Sequence, residues 1–393
     1  MKLTVPFNGD CSLIASVAEF SEVKELYGKL PADDIGGGKH SFQLPFISKK
    51  RLAHAVTQAH GCGIEFNYLL NSTCLDNAEW TRRGQKRITR LLDWLVGIKV
   101  DSVTVATPYL LELIKKRYPH LNICVSDLAY VNTARRAKYW QDLGAGRITL
   151  FNVDLNRDFS TLKQIRKDVR CELKLIVNVN CLHNCPFYIY HANIASHASQ
   201  SGHVSRGFVI DYCRIRCRYQ QLAEPVNFIR STWIRPEDTG YYETIGIDWF
   251  KIIDRGMTTS TILSIVDAYV KRTYDGNLLD LFPDPSKSIL FKKMNVFRTL
   301  KYFLRPGSVN IFKLKKFKGL IGNPVYIENK KLDGFLAGII EKQCSKQVCE
   351  DCGYCFEVMA KVGEIDDERL ADLKMKYRRC VDEMISGKLY RYF

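Results

Sequence analysis

Residues 102–179 read SVTVATPYLLELIKKRYPHLNICVSDLAYVNTARRAKYWQDLGAGRITLFNVDLNRDFSTLKQIRKDVRCELKLIVNV. The β-like runs Ser102–Ala106, Asn122–Ser126, Arg147–Phe151 and Leu173–Val179 alternate with helical patterns at 108–117, 132–143 and 158–168. Strand-like runs separated by helices of about 10–15 residues predict βαβ units and a parallel sheet. Outward from this stretch the alternation continues. Leu3–Phe7 is strand-like, and the apolar spacing predicts a helix within Leu13–Leu30. Asp33–Gly38, with three glycines, reads as a loop or strand end, and 48–60 as a helix. Ile64–Leu70 reads as a strand and 78–96 as an amphipathic helix; Trp249–Ile253 is one more strand. The expected fold class is α/β, a TIM-like (β/α)8 barrel, with an open doubly wound sheet as the competitor. In both, chemistry belongs at the C-terminal ends of the strands.

The composition is that of an ordinary globular chain: 393 residues, 46% apolar and 25% charged. A chain of this length buries a full core without covalent staples. No run of about 18 apolar residues offers a membrane span, and the first residues, MKLTVPFNGDCSLI, lack the apolar run of a secretory signal. The expected location is cytoplasmic, where thiols stay reduced, so the 14 cysteines are not read as a disulfide framework.

Phe282-Pro283-Asp284-Pro285 reads as a linker, dividing residues 1–283, the barrel, from residues 284–393, a basic C-terminal extension. From Pro285 to Ile327 there is no acidic residue, and ten Lys or Arg account for most of the +16 net charge. Phe291, Phe297, Tyr302, Phe303, Phe312 and Phe317 are interleaved with them. Such a segment tracks phosphates and stacks bases in RNA-binding proteins; a small subdomain core with a solvated basic face is the equal competitor.

Eight of the cysteines fall into two sets. Cys181-x3-Cys185 and Cys213-x3-Cys217 are two pairs at one spacing, the first directly after LKLIVNV. Four thiolates close a tetrahedral site for zinc or carry an iron–sulfur cluster, and sulfur-only ligation does not decide between them. Position 188 is Tyr, so a radical-SAM triplet is excluded. The second set, Cys344-x4-Cys349-x2-Cys352-x2-Cys355, packs four cysteines into twelve residues, with Gly353 allowing a tight wrap. Its spacing is close to the plant-type ferredoxin run, and structural zinc is the alternative. The six scattered thiols, Cys11, Cys62, Cys74, Cys124, Cys171 and Cys380, read as core filler.

His183, His191, His197 and His203 crowd one window beside the first set, and His suits proton transfer near neutral pH. In a helix, Asn193 and His197 would share a face. Lys251, Asp254 and Arg255 cluster at the end of the last strand-like run. Arg255 suits a two-pronged grip on a substrate carboxylate; an ion pair with Asp254 or Glu237 is the equal alternative. The candidate catalytic residues are therefore His183, His191, His197, Lys251, Asp254 and Arg255.

The stretches VSDLAYVNTARRAKYWQDLGAGRITLFNVDL (125–155) and IRPEDTGYYETIGIDWFKIIDRG (234–256) resemble peptidase family U32, the collagenase-like proteins, over roughly residues 1–280. Where the family carries HGALC, this chain has VNVNC, ending at Cys181; where it carries KIEGR, this chain has Lys251-Ile252-Ile253-Asp254-Arg255. The resemblance is to smaller members with a Cys-rich C-terminal tail. It implies a TIM-like barrel with one [4Fe–4S] cluster. Cys181, Cys213 and Cys217 stand at family ligand positions, and Cys185 replaces a family cysteine usually further from the first. Well-studied members are oxygen-independent hydroxylases of ubiquinone precursors, transfer RNA or ribosomal RNA, some linked to prephenate as oxygen donor.

The leading expectation is thus an iron–sulfur oxidoreductase or hydroxylase acting on a small molecule with an electron donor. The tail cysteines would hold a second [4Fe–4S] cluster or zinc, passing electrons or fixing the tail. An RNA-modifying hydroxylase using the basic segment is the alternative, with a protein partner or oligomer left open. A metal-dependent peptidase is the third reading. It needs an open metal position with a non-Cys ligand, and no H-E-x-x-H is present.

Overall fold

The computed structural model describes residues 1–205, 207–288, 317 and 319–390. Eight parallel strands close into a ring in chain order. They are β1 (Lys2–Pro6), β2 (Val23–Gly28), β3 (Glu65–Leu70), β4 (Ser102–Val105), β5 (Asn122–Val125), β6 (Arg147–Thr149), β7 (Glu172–Ile176) and β8 (Trp249–Lys251). Closure comes from Lys2, Leu3 and Thr4 pairing with Trp249, Phe250 and Lys251. This is the expected barrel, not an open sheet.

Twelve helices accompany the ring: α1 (Ser12–Val17), α2 (Lys49–Gly61), α3 (Arg82–Gly97), α4 (Pro108–Arg117), α5 (Ala134–Asp142), α6 (Asn152–Leu155), α7 (Phe159–Asp168), α8 (Tyr188–His197), α9 (Tyr212–Ala223), α10 (Asn227–Arg230), α11 (Thr239–Glu243) and α12 (Thr259–Lys271). Their starts follow from capping chemistry. Ser48, Thr81, Thr133, Asp158, Asp211 and Thr258 each accept a first-turn backbone N–H.

One expected element is corrected. The span Leu13–Leu30 is not one helix: α1 ends at Val17, and Val23–Gly28 is a barrel strand. The misreading has a physical cause. Glu25 points into the barrel, where a charge is not expected. Its carboxylate meets Arg147 Nη1 at 2.6 Å and Lys174 Nζ at 2.5 Å, with Asn67 Nδ2 at 3.1 Å. Burial alone would raise the Glu25 carboxyl, but the two cations outweigh it and hold it down at about 2.

Between β7 and β8 the usual single helix is replaced by the long excursion α8–α11, which carries both cysteine pairs of the first set. The extension is packed onto the barrel. A strand at Val325–Ile327 pairs antiparallel with Gly363–Ile365. Val325, Ile327, Leu332, Phe335, Leu336, Ile339, Met359 and Val362 join the barrel's own apolar core. Phe282, read as linker, is buried in that core as well. Arg235 ties the two parts by bonding Asp238, the Asn329 carbonyl and Asp333 at 2.9–3.0 Å. The C-terminal helix Asp367–Ile385 lays Leu373, Tyr377, Cys380 and Val381 against Ile215 and Leu222 of α9. No helix among the described residues is long and apolar enough to cross a membrane. The basic aromatic segment falls mostly outside the described residues; of its six aromatics only Phe317 is described, packed against the α9 cluster.

Candidate functional site

Side chains at the C-terminal ends of the strands converge on a polar chamber at the barrel mouth. After β8 the chain is gripped by Asn178, just past β7: Asn178 Oδ1 accepts the Ile253 N–H at 2.8 Å, and its amide bonds the carbonyls of Ile253 and Leu281. That clamp sets Asp254 and Arg255. Asp254 pairs with Lys39 and accepts the Gly256 N–H at 2.7 Å. Burial pushes its carboxyl up, but Lys39 outweighs that and lowers it.

Across the mouth, Asp33 is held by Lys29 at 3.0 Å, by the Tyr68 hydroxyl at 2.7 Å and by the backbone N–H groups of Ile35 and Gly36. Gly36 (φ +85°) is required here, because a Cβ would sit 2.7 Å from the Ser196 carbonyl oxygen of α8. Asp127, after β5, accepts from the Tyr188 hydroxyl at 2.7 Å.

Two cations lack such partners. Arg255 is 6% exposed and Lys251 7% exposed. Among the described residues no carboxylate lies within 4 Å of either. The Lys251 ammonium instead sits 4.2 Å from the centre of the Tyr27 ring, and Tyr27 donates to the Ile252 carbonyl at 3.1 Å. Burial and repulsion from Lys174 bring Lys251 down to about 8, against the pull of Asp127 and Glu25. Burial likewise lowers Arg255, with Tyr27, Asp254, Tyr68 and Asp33 opposing. A shielded cation with no adjacent carboxylate is costly to hold, and a bound anion would offset that cost.

The first cysteine set flanks the chamber. Cys181 and Cys185 lie in the loop after β7; Cys213 and Cys217 occupy successive turns of α9. Burial raises all four thiols, Cys213 and Cys217 to about 12; neighbouring thiols add to the rise at Cys181, Cys213 and Cys217, while backbone N–H groups of Phe187 and Tyr188 oppose it at Cys185. Asp127 acts on both Cys181 and Lys251, so thiols and chamber share a neighbour. The donor set, four soft sulfurs beside a shielded chamber, fits an iron–sulfur cluster or zinc. Among the described residues, however, no three His, Cys, Asp or Glu side chains are drawn tightly enough to form a ready-made ligand set. Loading requires the thiols to close in and lose protons together.

The histidines do not converge. His183 lines a cavity of about 550 Å³ with Asn132, Asp154, Cys344 and Cys349; burial lowers it to about 4. His191 pairs with Asp211 at 2.9 Å, and the buried His40 stands 3.6 Å from the same carboxylate. Burial would raise Asp211, but the bond from His191 and the neighbouring charges hold it at about 2. His197 stacks on His203, ring centres 4.5 Å apart; Asn193, on the same helix, accepts from Thr73 at 2.6 Å instead of meeting His197. His203 Nδ1 meets Ser205 within one turn, a local loop contact and not a nucleophile with its base.

Sequence reading missed Lys29, Asp33, Lys39, Tyr68, Asp127 and Asn178. The one available signal was the Lys29-x3-Asp33 pair leading into the glycine run. Of the scattered thiols, Cys124 and Cys380 are buried as expected, but Cys62 is exposed and is not core filler.

The tail set lines a second, small cavity of about 20 Å³. Cys344, Cys349, Cys352 and Cys355 share it with Arg230, Ile339, Lys342, Gln347 and Tyr354. Burial raises Cys344, and Cys355 to about 11.

Comparison with known proteins places these features. Residues 32–275 match the family described as Peptidase family U32. An uncharacterized protease of Methanocaldococcus jannaschii is 30% identical over 353 residues, 90% of each chain. The solved structure of a U32 peptidase, 22% identical, covers 64% of this chain and 91% of its own with a TM-score of 0.49. A D-psicose 3-epimerase, 12% identical, covers 50% of this chain and 81% of its own with a TM-score of 0.32. The barrel assignment stands on the strand ladder above, not on these two overlays.

Proposed function

Because this chain belongs to peptidase family U32, we propose that it is an iron–sulfur enzyme of that family, carrying out redox chemistry on an anionic small molecule at the barrel mouth. Cys181, Cys185, Cys213 and Cys217 would hold a [4Fe–4S] cluster. A cluster held by four thiolates supplies electrons one at a time, drawn from an external donor. Hydroxylation without dioxygen would run the electron flow the other way: water would supply the oxygen atom, two protons would leave, and the two electrons would pass one at a time through the cluster to an external acceptor.

The remaining roles fall to the chamber. Arg255 and Lys251 bind the substrate anion, and Asn178 and Lys39 fix the loop that presents Arg255. Lys251, poised near 8, holds or releases a proton at Nζ close to neutral pH. The observation that carries the reading is the juxtaposition of four thiols with two buried cations that have no carboxylate within 4 Å among the described residues. The relative's designation as a protease supports peptide hydrolysis as the second reading.

The test is iron and sulfide content of anaerobically purified protein whose tail thiols are removed by Cys352→Ala and Cys355→Ala. About four iron and four sulfide per chain are expected, lost when Cys181→Ala and Cys217→Ala are added. Colourless, iron-free protein that still cleaves unfolded polypeptide overturns this reading in favour of the second.

A further inference from the structure

Arg157, between α6 and α7, is 6% exposed. Its guanidinium lies between the barrel's Trp233 and the extension's Phe335, at 4.5 and 4.9 Å from the ring centres. One nitrogen, Nη1, donates to the Ile229 carbonyl at 2.7 Å, but Nε and Nη2 are buried with no hydrogen-bond partner. Arg230 is partly in the same position: its cation sits 4.7 Å from the Phe356 ring and its Nη1 stands 3.8 Å from the Glu224 carboxylate, but its Nη2 is buried without a partner. Buried donors are almost always satisfied, so these unpartnered guanidinium nitrogens, Nε and Nη2 of Arg157 and Nη2 of Arg230, require an explanation.

What they face is the tail set. Arg230 lines the 20 Å³ cavity with all four tail cysteines, and Cys355 and Cys344, together with Tyr242 and Asp238, oppose the lowering that burial imposes on Arg157. That cavity is about the size of one water-sized occupant. Four thiolates around a divalent ion carry a net charge of about −2, which two guanidinium groups would balance. N–H groups aimed at sulfur are the outer-shell partners such a centre uses.

We propose that Cys344, Cys349, Cys352 and Cys355 are the ligands of a four-thiolate metal centre that satisfies Arg157 and Arg230 and so pins the extension to the barrel. The proposal is independent of the barrel thiols and stands whether or not they hold a cluster. The thiols share a cavity but are not closed on one point, so binding draws them together and releases protons to solvent. Zinc and an iron–sulfur cluster share this ligand chemistry. The centre also borders the larger cavity containing His183, which places it beside the loop bearing Cys181 and Cys185.

The test is thiol footprinting of the full-length wild-type chain under anaerobic conditions. Chelator-treated protein is compared with protein loaded with zinc, and with protein loaded with ferrous iron and sulfide. Each sample is alkylated, and every cysteine is mapped. All four tail cysteines should label at least about tenfold more slowly in one loaded sample, because metal-bound thiolate is unavailable to the reagent. Protection by zinc alone assigns a single ion; protection only with iron and sulfide assigns a cluster. In an Arg157→Leu chain the same protection should require more metal. Equal labelling of the four thiols in loaded and stripped protein overturns the proposal, as does protection of fewer than three.

Discussion

The two charged layers inside the barrel follow opposite rules. In the lower layer Glu25 is closed on Arg147, Lys174 and Asn67, every bond at 3.1 Å or less. One layer up, Lys251 and Arg255 are also buried, yet among the described residues no carboxylate lies within 4 Å of either. Both layers bear the desolvation cost of buried charge, but only the lower one recovers it within the chain. The lower layer therefore belongs to folding. The upper one lies at the C-terminal ends of the strands, where barrels place their chemistry, and under the proposed function a ligand would complete it.

The contrast is broken most severely from below. Glu25→Gln leaves two buried cations facing a neutral amide, and loss of one partner from a buried ionic group costs about 3–5 kcal/mol. Denaturant unfolding should show a fall of that size. Acid should do part of the same work. The Glu25 carboxyl lies at about 2 in the folded chain, below the ordinary 4.5. Its contribution is complete above pH 4.5 and disappears as pH falls towards 2. By linkage that is roughly 3 kcal/mol, read as the difference in acid unfolding between wild type and Glu25→Gln.

The upper layer should respond in binding. Arg255→Met is expected to weaken a dicarboxylate probe such as succinate by about 30-fold or more, measured calorimetrically, since truncating one side of a buried charge contact costs about 2–5 kcal/mol. The smallest effect is a pH slope. Lys251 loses its proton near pH 8 in the folded chain, with Lys174, Arg255, Asp127, Glu25 and Tyr27 around it. Its charge is present below that value and lost above it, so succinate affinity should fall several-fold between pH 7 and 9. In Lys251→Met that slope should be absent.

Sequence pattern carried the barrel wherever an apolar strand lies between helices, which describes seven of the eight strands. It failed at β2 because Glu25 and Tyr27 face a polar interior that periodicity reads as a helix surface. The cysteine sets were readable because their spacing is local. So were Lys251, Asp254 and Arg255, which stand together on one strand end. Asp33, Asp127 and Asn178 were not, since they follow three different strands and meet only when the ring closes. The histidines are the converse case. Proximity in sequence did not survive a helix and two loops, which sent His183 to the tail cavity, His191 to Asp211 and His197 to His203. Arg157 and Arg230 gave no local sign of their relation to the tail thiols.

The most direct measurement is the unfolding free energy of Arg255→Met beside that of Glu25→Gln, at pH 7 and without ligand. If the upper cations serve a ligand and not the fold, Arg255→Met is as stable as wild type or more so, because an unpaired buried charge is removed, while Glu25→Gln falls by about 3–5 kcal/mol. Arg255→Met destabilised as much as Glu25→Gln would contradict the account, making the mouth a second structural ionic layer.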